Sequence, residues 1–600
     1  MTDTLPPVAV RTADRRHSTP VDTAPLSRKA THADPTPILV PDALLPSPPT
    51  DAERDLYLGP QWRWVTPLSF VGYVLIMISI CFFIARHPWS ALLLVPVTAT
   101  TIGSVVSLLT SSRRRRDTLA GHRAFVGAWR PGQHPSVDVF LPSAGEALEV
   151  LAHTYRHVAA LSWPGSLTVH VLDDSGREAV RALAVVHGFR YLSRPDRGHF
   201  KKAGNLRFGF ENSCGDLILV LDADFVPRPD ALHELAPYFD DSGVGIVQSP
   251  QFFDVDARMN WLQRSAGATQ MLFYRWVQPS RDRSDAAICV GTSALYRRRA
   301  LEAAGGYALI EHSEDVHTGV KLMRAGYRVR YVATVVTKGL CPDRLDQFLT
   351  QQYRWCSGSM SLLFSRDFHR FPLTVMQRLC YWSGFFYYIT TALNVFTMAL
   401  PPILMAWFVA SKVTAANYVF VLLALVVRQT VIPVITLQSE TLTGLARVQT
   451  TYSFCHALAL YDTLRRRTDA WVATGAKQRS RTAARIGRLV RIWCIGVQVA
   501  LWSAIAWYVP VYGVGRWWLM IAFALMNLYV VYPLILGSAS VPTLVDLQRR
   551  FRAARLWTSV RRLAPPRLSG AALSRLRAGG QAPSGRTAAA TAGAADRSTP

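Results

Sequence analysis

The 600-residue sequence is poor in charged residues and lacks the cysteine patterns of a metal site or a secreted protein. Asp, Glu, Lys and Arg together make up 18% of the chain. The eight cysteines form no CxxC pair, so we expect neither a structural zinc site nor a disulfide framework. The first 55 residues are rich in Pro, Thr, Asp and Arg without an apolar core, so we expect no cleavable signal peptide.

Apolar residues are abundant instead, at 50% of the chain, and they concentrate in six long stretches. A membrane-spanning helix needs roughly 20 apolar residues. The stretches lie at about 66–84, 91–109, 379–409, 417–437, 490–508 and 517–536. The third is broken by Pro401-Pro402. The sequence therefore predicts a multi-pass membrane protein with six spans.

The net charge of +26 is located beside these stretches. Clusters at 113–116, 465–467, 477–491 and 549–562 all fall on one side of a six-span topology. This asymmetry follows the positive-inside rule, so we expect both termini and the central region to be cytoplasmic. Such clusters also attract anionic lipid headgroups. We do not expect nucleic-acid binding, because no basic patch is interleaved with exposed aromatic residues.

The chain is accordingly divided into seven segments. We expect a disordered N-terminal arm, two transmembrane helices, a cytoplasmic domain, helices 3 and 4, a cytoplasmic interfacial segment, helices 5 and 6, and a basic, largely disordered tail. Their bounds are 1–55, 56–112, 113–375, 376–440, 441–486, 487–540 and 541–600.

The central region alternates strand and helix patterns. "SVDVFLP", "SLTVHVLDDSG", "FRYLSR" and "DLILVLDADF" have strand character, and "LEVLAHTYRHVAAL" and "REAVRALAVVHG" have helical spacing of apolar residues. Strands and helices at this interval predict an α/β domain with a parallel, doubly wound sheet.

Carboxylates follow two of these strands, where ligands bind in open α/β sheets. Asp173 and Asp174 end one strand pattern, and Asp222 and Asp224 end another. Strand alternation puts Asp222 and Asp224 on one side, about 7 Å apart, where they repel unless a cation lies between them. Mg²⁺ or Mn²⁺ prefers oxygen ligands and completes its shell with substrate phosphates. The interpretation is a metal that holds a diphosphate, and the alternative is a solvated turn.

Two further stretches contain residues that suit a phosphate or an acceptor. In "GHFKKAGNLR", Lys202 and its neighbours predict contact with phosphate or sugar hydroxyls, or else a basic surface turn. In "EHSEDVHTGV", Glu314 and Asp315 stand at the head of an apparent helix, with Ser313 as its N-cap. These acids either stabilise the first turn or deprotonate an acceptor hydroxyl.

"FLTQQYRWCSGSM" places Arg354 and Trp355 between two glutamines and a Gly-Ser pair interpreted as a turn. The third apolar stretch begins fewer than thirty residues later. An arginine fork suits a phosphate, and an indole suits the apolar face of a sugar ring. The pattern indicates a reaction site at the entrance to the membrane.

Together these motifs resemble the processive family 2 glycosyltransferases, most closely the bacterial cellulose synthases and cellulose-synthase-like proteins. The resemblance runs from the first span to about residue 540. Its markers, in the family's order, are "VLDDSGR", "HFKKAGN", "LDADF", "VQSPQFF", "CVGTSALYRR", "SEDVHTG" and "QQYRW". It implies a nucleotide-sugar-binding α/β domain with a mixed, mostly parallel sheet, inserted in an α-helical multi-span membrane domain.

The resemblance implies a role for each matching position. Asp173 and Asp174 contact the nucleotide, and Asp222 and Asp224 bind the diphosphate and a Mg²⁺ or Mn²⁺ ion. Asp315, beside Glu314, is the general base. The remaining implied donor and acceptor residues are Lys202, Gln351, Arg354 and Trp355, with Phe252, Phe253 and Cys289 in segments that line the acceptor path. "DAWVATGAK" resembles a gating loop through Trp471, Thr474 and Lys477, or else is a plain interfacial segment.

Three departures from the family pattern stand out. Pro142 to Glu146 replaces a Pro-Thr-Tyr-Asn-Glu type sequence, and the lost aromatic residue makes uridine specificity less secure. Ser313 replaces a Thr, and Lys477 is displaced by one residue.

The resemblance implies an inverting hexosyltransferase of the plasma membrane that polymerises a sugar, with UDP-glucose and a β-1,4-glucan favoured, and extrudes the chain. A non-processive transferase acting on a lipid or short acceptor is the alternative. A third alternative is a transporter or scaffold without catalysis, but the five clustered aspartates argue against it. A growing glycan, membrane lipid and a cell-envelope export partner are the implied partners. The sugar itself is left open.

Overall fold

The computed structural model describes residues 45–255, 259–437, 439–467 and 480–541. An α/β block lies between the second and third membrane-spanning helices, as expected. The proposed gating-loop residues Trp471, Thr474 and Lys477 and the tail from residue 542 lie outside the described residues.

The sheet of the block has seven strands in the described residues, in the order β3-β2-β1-β4-β8-β6-β9. The ten strands of the block, in both of its sheets, are β1 Val137–Ser143, β2 Leu167–Asp173, β3 Arg190–Leu192, β4 Leu217–Val220, β5 Val226–Pro227, β6 Val244–Gln248, β7 Phe252–Phe253, β8 Ala294–Arg297, β9 Arg328–Tyr331 and β10 Thr337–Gly339. Within the seven-stranded sheet, β8 runs antiparallel to β4 and β6, while the other neighbouring strands are parallel. The mixed, mostly parallel sheet is confirmed, and the purely parallel sheet expected from the alternation is wrong.

Both faces of this sheet are covered by helices of the block. The helices of the block are α4 Leu119–Ala128, α5 Leu148–Val158, α6 Glu178–Val186, α7 Lys201–Glu211, α8 Ala231–Leu235, α9 Trp261–Leu272, α10 Gln278–Asp282, α11 Arg298–Ala303, α12 Glu314–Arg324, α13 Leu345–Leu363 and α14 Arg366–Arg370. β1 is buried along its whole length, as a central strand covered on both faces must be. β5, β10 and β7 form a second, three-stranded sheet.

Six helices of the described part are long and apolar enough to cross a membrane. These spans are 65–86, 88–111, 375–408, 415–435, 481–512 and 514–536. Their principal helices are α2 Val65–Arg86, α3 Leu94–Ser111, α15 Val375–Thr397, α16 Leu400–Phe408, α17 Val419–Ile435, α19 Arg481–Tyr512 and α20 Val514–Leu536. The predicted break in the third span lies between α15 and α16, with Pro401 and Pro402 in the first turn of α16, where proline is tolerated.

Two segment boundaries differ from the expected ones. Helix α1, Asp51–Asp55, lies inside the segment predicted as a disordered arm. Thr50 caps it through a reciprocal pair of hydrogen bonds with Glu53, and Arg228 donates to Asp51 at 2.8 Å, which explains its order. The interfacial segment holds a largely buried helix, α18 Leu442–Leu464, and α19 begins at Arg481, before the boundary expected at 487.

Helix α13 connects the α/β block to the membrane-spanning part. The Tyr353 hydroxyl donates to Asp462 on α18 at 3.0 Å, and the Cys356 thiol contacts the His456 carbonyl at 3.8 Å. Tyr353, Cys356, Phe385 on α15 and Val490 on α19 belong to one buried apolar cluster. The segment that carries the QQYRW motif is therefore fixed directly against the membrane helices.

Candidate active site

The candidate site lies where the sheet's strand ends meet the start of α12 and one face of α13. Asp222 and Asp224 follow β4, which ends at Val220, so both lie in the turn beyond the strand. The expectation that strand alternation aligns them is therefore wrong, because the strand ends too early. The backbone N–H of Asp222 donates to the Thr292 hydroxyl at 2.9 Å, which ties this turn to the loop before β8.

Lys202 joins the carboxylates of the site. It lies in the first turn of α7, so the basic stretch is the start of a helix and not a surface turn. Its ammonium group contacts Asp222, donates to the Gly291 carbonyl at 2.8 Å, and lies 3.9 Å from Glu314. Burial disfavours the charge, yet the attraction of Asp222 and Glu314 raises the pKa of Lys202 above its usual value.

Glu314 and Asp315 form the first turn of α12, as predicted, but Ser313 does not cap the helix through its side chain. Ser313 has φ of 54°, in the left-handed region. Glu314 is 9% exposed. Burial and the neighbouring Glu314 charge raise the pKa of Asp315. Asp315 is therefore a carboxyl group that exchanges its proton closer to neutral pH than an ordinary aspartate.

Two glycines allow this arrangement. A Cβ at Gly291 would lie 2.9 Å from the Asp315 carboxylate, and Gly291 has φ of 79°. A Cβ at Gly358 on α13 would lie 2.0 Å from the Ser313 hydroxyl. The start of α12 therefore packs closely against α13. His317 and Ser361 add a 3.0 Å hydrogen bond between the same two helices.

The helix α13 explains the spacing of the QQYRW motif. Gln351, Arg354, Trp355 and Gly358 recur at the i, i+3, i+4 and i+7 positions, which share one helix face. The Gly358-Ser359 pair lies inside this helix, so the turn expected there is wrong. Gln351, Arg354 and Trp355 are half-buried. Burial lowers the pKa of Arg354, while the charges of Glu314 and Asp222 oppose that effect, so all three belong to one electrostatic cluster.

Asp224 lies in the turn after β4, close to the charge of Asp222. Burial and the charge of Asp222 raise the pKa of Asp224 to about 7. Glu146, in the loop after β1, contributes in the same direction. Burial also raises the pKa of Glu146, whose carboxylate accepts from the Ala144 N–H at 2.7 Å. Glu146 is a third carboxylate beside Asp222 and Asp224, and the sequence indicated it only as part of a family motif.

Asp173 and Asp174 are occupied by contacts within the chain. Asp173 is 0% exposed and accepts from the Arg177 N–H at 2.9 Å and the Tyr191 hydroxyl at 3.0 Å. Asp174 accepts from Nε and Nη2 of Arg194, at 2.7 and 2.9 Å. Arg194, which the sequence analysis missed, also donates to the Lys201 carbonyl at 3.1 Å. Asp173 therefore holds the turn after β2 against β3, Asp174 holds the loop that leads to Lys202, and direct nucleotide contact stays a prediction.

The three predicted acceptor residues outside α13 are core residues. Phe252 and Phe253 are each 6% exposed and pack edge-on against Tyr57 and Phe225. Cys289 is 0% exposed, with its thiol 3.0 Å from the Tyr296 hydroxyl. Their role in lining an acceptor path stays a prediction.

The raised pKa of Asp224 predicts a pH-dependent effect of Asp224→Asn on stability. The unfolded-state pKa is about 3.9, and the folded value is about 7. The group therefore stabilises the fold below about pH 4, and this contribution is lost as the pH rises through 7. In metal-free buffer, thermal unfolding should show that Asp224→Asn gains about 1–3 kcal/mol over the wild type between pH 5 and pH 8. Parallel curves would contradict the prediction, and the exposed Asp343→Asn is the control.

Comparison with known sequences identifies the domain around this site. Residues 217–431 match the sequence model of Glycosyl transferase family group 2. Cellulose synthase 1 catalytic subunit (UDP-forming) of Komagataeibacter xylinus is 33% identical over 260 residues, covering 42% of this chain and 35% of that protein. The corresponding subunit of Xanthomonas axonopodis pv. citri is 33% identical over 267 residues, covering 42% and 36%. The match thus spans about a third of the length of these curated relatives.

Among solved structures, a mannosyltransferase from Pyrobaculum calidifontis in complex with GDP-Man and Mn²⁺ is 16% identical, with a TM-score of 0.43. The match covers 61% of this chain and 98% of the mannosyltransferase chain. The chain thus matches the glycosyl transferase family group 2 model from β4 into the fourth membrane-spanning helix, and it is similar in sequence to bacterial cellulose synthase catalytic subunits.

Proposed function

We propose that the protein is a membrane-embedded, inverting hexosyltransferase that polymerises a sugar from a nucleotide-sugar donor and extrudes the chain. UDP-glucose and a β-1,4-glucan are the favoured donor and product, because the similar proteins are named cellulose synthase catalytic subunits, UDP-forming. The observation that carries the proposal is the cluster of Lys202, Asp222, Glu314, Asp315 and Arg354 beside the membrane helices.

This cluster combines the groups that a sugar transfer from a diphosphate requires. Lys202 and Arg354 supply positive charge where the departing diphosphate accumulates negative charge. Both are already balanced by Asp222 and Glu314. An incoming diphosphate would exchange partners with these acids instead of meeting an isolated cation. Their positions are set by α7 and α13 before substrate binds, which is the condition for electrostatic catalysis.

Asp315 is the proposed general base. It takes the proton from an acceptor hydroxyl as that oxygen attacks the anomeric carbon from the face opposite the diphosphate, so configuration inverts in one step. A base works best when its pKa lies near the working pH, and burial together with Glu314 raises the pKa of Asp315 in that direction. A direct displacement needs one base and no nucleophilic side chain.

The carboxylates after β4 fit a divalent cation in company with a substrate. No group of three or more His, Cys, Asp or Glu side chains in the described residues is placed to hold a metal ion alone. Mg²⁺ and Mn²⁺ commonly bind one or two carboxylates and complete their shells with phosphate oxygens. Asp222 and Asp224 supply that donor set, and a bound cation would offset the burial and the Asp222 charge that raise the pKa of Asp224. When bound, the ion would neutralise charge on the diphosphate.

The face of α13 supports both acceptor binding and export. Trp355 is half-buried and shares this face with Arg354 and Gln351, so an acceptor sugar stacked on the indole would lie beside the leaving group. The opposite side of α13 packs on α18 and α15. The helix that carries the proposed acceptor face therefore also packs on the membrane helices, so a chain growing there would lie close to the spans through which it would be extruded. Transfer of a single sugar to a lipid or short acceptor is the alternative that product size distinguishes.

The basic clusters beside the spans support a plasma-membrane location with the catalytic domain and both termini in the cytoplasm. In that topology the donor binds on the cytoplasmic side, and the product leaves on the opposite side. A growing glycan and surrounding lipid are then the immediate partners, with a cell-envelope export partner beyond them.

Replacing the base should abolish turnover while leaving the protein folded. Purified protein in detergent is given a panel of UDP- and GDP-sugars with Mg²⁺ or Mn²⁺, and nucleotide release is measured. Asp315→Asn should lower the rate 10²–10⁴-fold, since it removes proton transfer. In the wild type, kcat should fall as the pH drops below the raised pKa of Asp315. The exposed Asp343→Asn should keep full activity.

The product assigns the reaction. UDP release from UDP-glucose, with a high-molecular-weight product that a β-1,4-glucanase degrades, would support the synthase. Another sugar would keep the mechanism and change the polymer. Only short or lipid-linked product would favour the alternative. Full turnover by Asp315→Asn would refute its role as base.

Substitution of Trp355 should affect the acceptor more than the donor. Trp355→Ala removes the stacking surface, so product length should shorten and the acceptor KM should rise about 10-fold or more, corresponding to the 1.4 kcal/mol or so that a sugar–aromatic stack contributes. Trp355→Phe keeps an aromatic face, so its product length and acceptor KM should stay close to those of the wild type. An equal rise in the donor KM would contradict this assignment, so both KM values are measured.

A further inference from the structure

A cavity of about 740 Å³ lies among the membrane helices, apart from the candidate active site. It is lined by side chains of α2, α15, α16, α17, α18, α19 and α20. None of the residues assigned to the candidate site lines it. Its volume falls within the roughly 300–1,000 Å³ that ligand pockets occupy. Most of its wall is apolar, with Phe83, Val421, Phe454 and Trp493 among the contributors.

The charged residues of the cavity wall have one sign. Arg86, Lys412 and Arg428 line it, and none of its lining residues is Asp or Glu. Arg86 is the last residue of α2, and Lys412 ends the short turn after α16. Both lie on the same side of the membrane. Arg428 is different, since it lies inside a span, seven residues before the end of α17 at Ile435. At about 1.5 Å per residue, it is about 10 Å from that end.

Arg428 has no acidic partner in the part of the chain that the structure describes. No ion pair or hydrogen bond joins its side chain to another described residue. The hydroxyl of Tyr452 on α18 is the group with which it interacts electrostatically. A charged side chain within a span is expensive and marks a functional site by default. The cost falls when an anion enters the cavity and pairs with the guanidinium.

Two properties of the cavity identify the class of anion. A guanidinium matches the geometry of a phosphate group, to which it donates two parallel hydrogen bonds. The apolar remainder of the wall needs hydrocarbon, because unpaired polar groups are costly there. An amphiphile with a phosphate head and acyl chains satisfies both demands, and the surrounding bilayer supplies it. A neutral glycan would satisfy the aromatic residues but would leave Arg428 without a counter-charge.

We propose that this cavity binds one anionic phospholipid, with its phosphate group on Arg428 and its acyl chains along the apolar wall of α2, α17 and α19. This site is separate from the basic clusters at the membrane surface, which attract headgroups without enclosing them. The proposal does not depend on the proposed sugar transfer, because no candidate catalytic residue takes part.

Native mass spectrometry of the full chain in detergent tests the site. Delipidated protein is titrated with dioleoylphosphatidylglycerol, and separately with dioleoylglycerol, which has the same chains and no phosphate. The wild type should bind one phosphatidylglycerol with at least 10-fold preference over dioleoylglycerol. Arg428→Gln should lose at least 10-fold in phosphatidylglycerol affinity, and Arg428→Lys should retain an intermediate affinity. Arg488→Gln is the matched control, because Arg488 is exposed on the membrane helix α19 and does not line the cavity.

Equal binding of the two lipids by the wild type would overturn the proposal, and this comparison decides even if Arg428→Gln fails to fold. An unchanged affinity of Arg428→Gln, or the same loss in Arg488→Gln, would overturn it as well. Arg428-dependent binding of cellohexaose without any preference for phosphatidylglycerol would identify a glycan conduit instead. Nucleotide release measured on the same samples separates this site from the sugar-transfer reaction, since failure of one leaves the other unaffected.

Discussion

The Lys202 ammonium group connects the two sets of acids on which the candidate site depends. It contacts Asp222 at the end of the sheet and lies 3.9 Å from Glu314 at the start of α12. Without this cation, the acids at the strand ends and those of the helix would repel one another in a partly buried space. The loop that leads to Lys202 is held in turn by the Arg194–Asp174 pair. A lysine in the first turn of one helix thus sets the positions of groups from three separate segments.

The same acids are attached to the membrane part through helix packing. Gly358 lets α13 approach the start of α12, and Tyr353 on the other side of α13 donates to Asp462 on α18. One helix therefore contacts both the start of α12, which carries the candidate base, and the interfacial helix α18. A change in the packing of α18 would be transmitted to Asp315 through a single rigid element. This continuity is the physical route by which the proposed sugar transfer would be coupled to movement of the product into the membrane.

The sequence predicted the spans, the α/β block and most of the clustered residues, because hydrophobic length and strand–helix alternation are local signals. It failed where pairing partners decide the outcome. The antiparallel strand β8 and the early end of β4 depend on hydrogen bonds between distant segments. The Gly-Ser pair at 358–359 was interpreted as a turn, although close packing against Ser313 explains its glycine.

Arg194 and Glu146 have no local signal of their role, since burial and neighbouring charges define it. Arg428 stood in an apolar stretch and drew no prediction, because the cavity that makes it informative is formed by seven helices.

The central claim is that Asp222, Asp224, Lys202, Asp315 and Arg354 form one donor-binding centre. A cryo-electron microscopy structure of Asp315→Asn with UDP-glucose and Mn²⁺ tests it most directly, because the variant should bind the donor without consuming it. The account predicts the diphosphate between Arg354 and Lys202, a metal on Asp224, and the anomeric carbon facing residue 315. A donor bound elsewhere, or a diphosphate that contacts neither cation, would contradict the account.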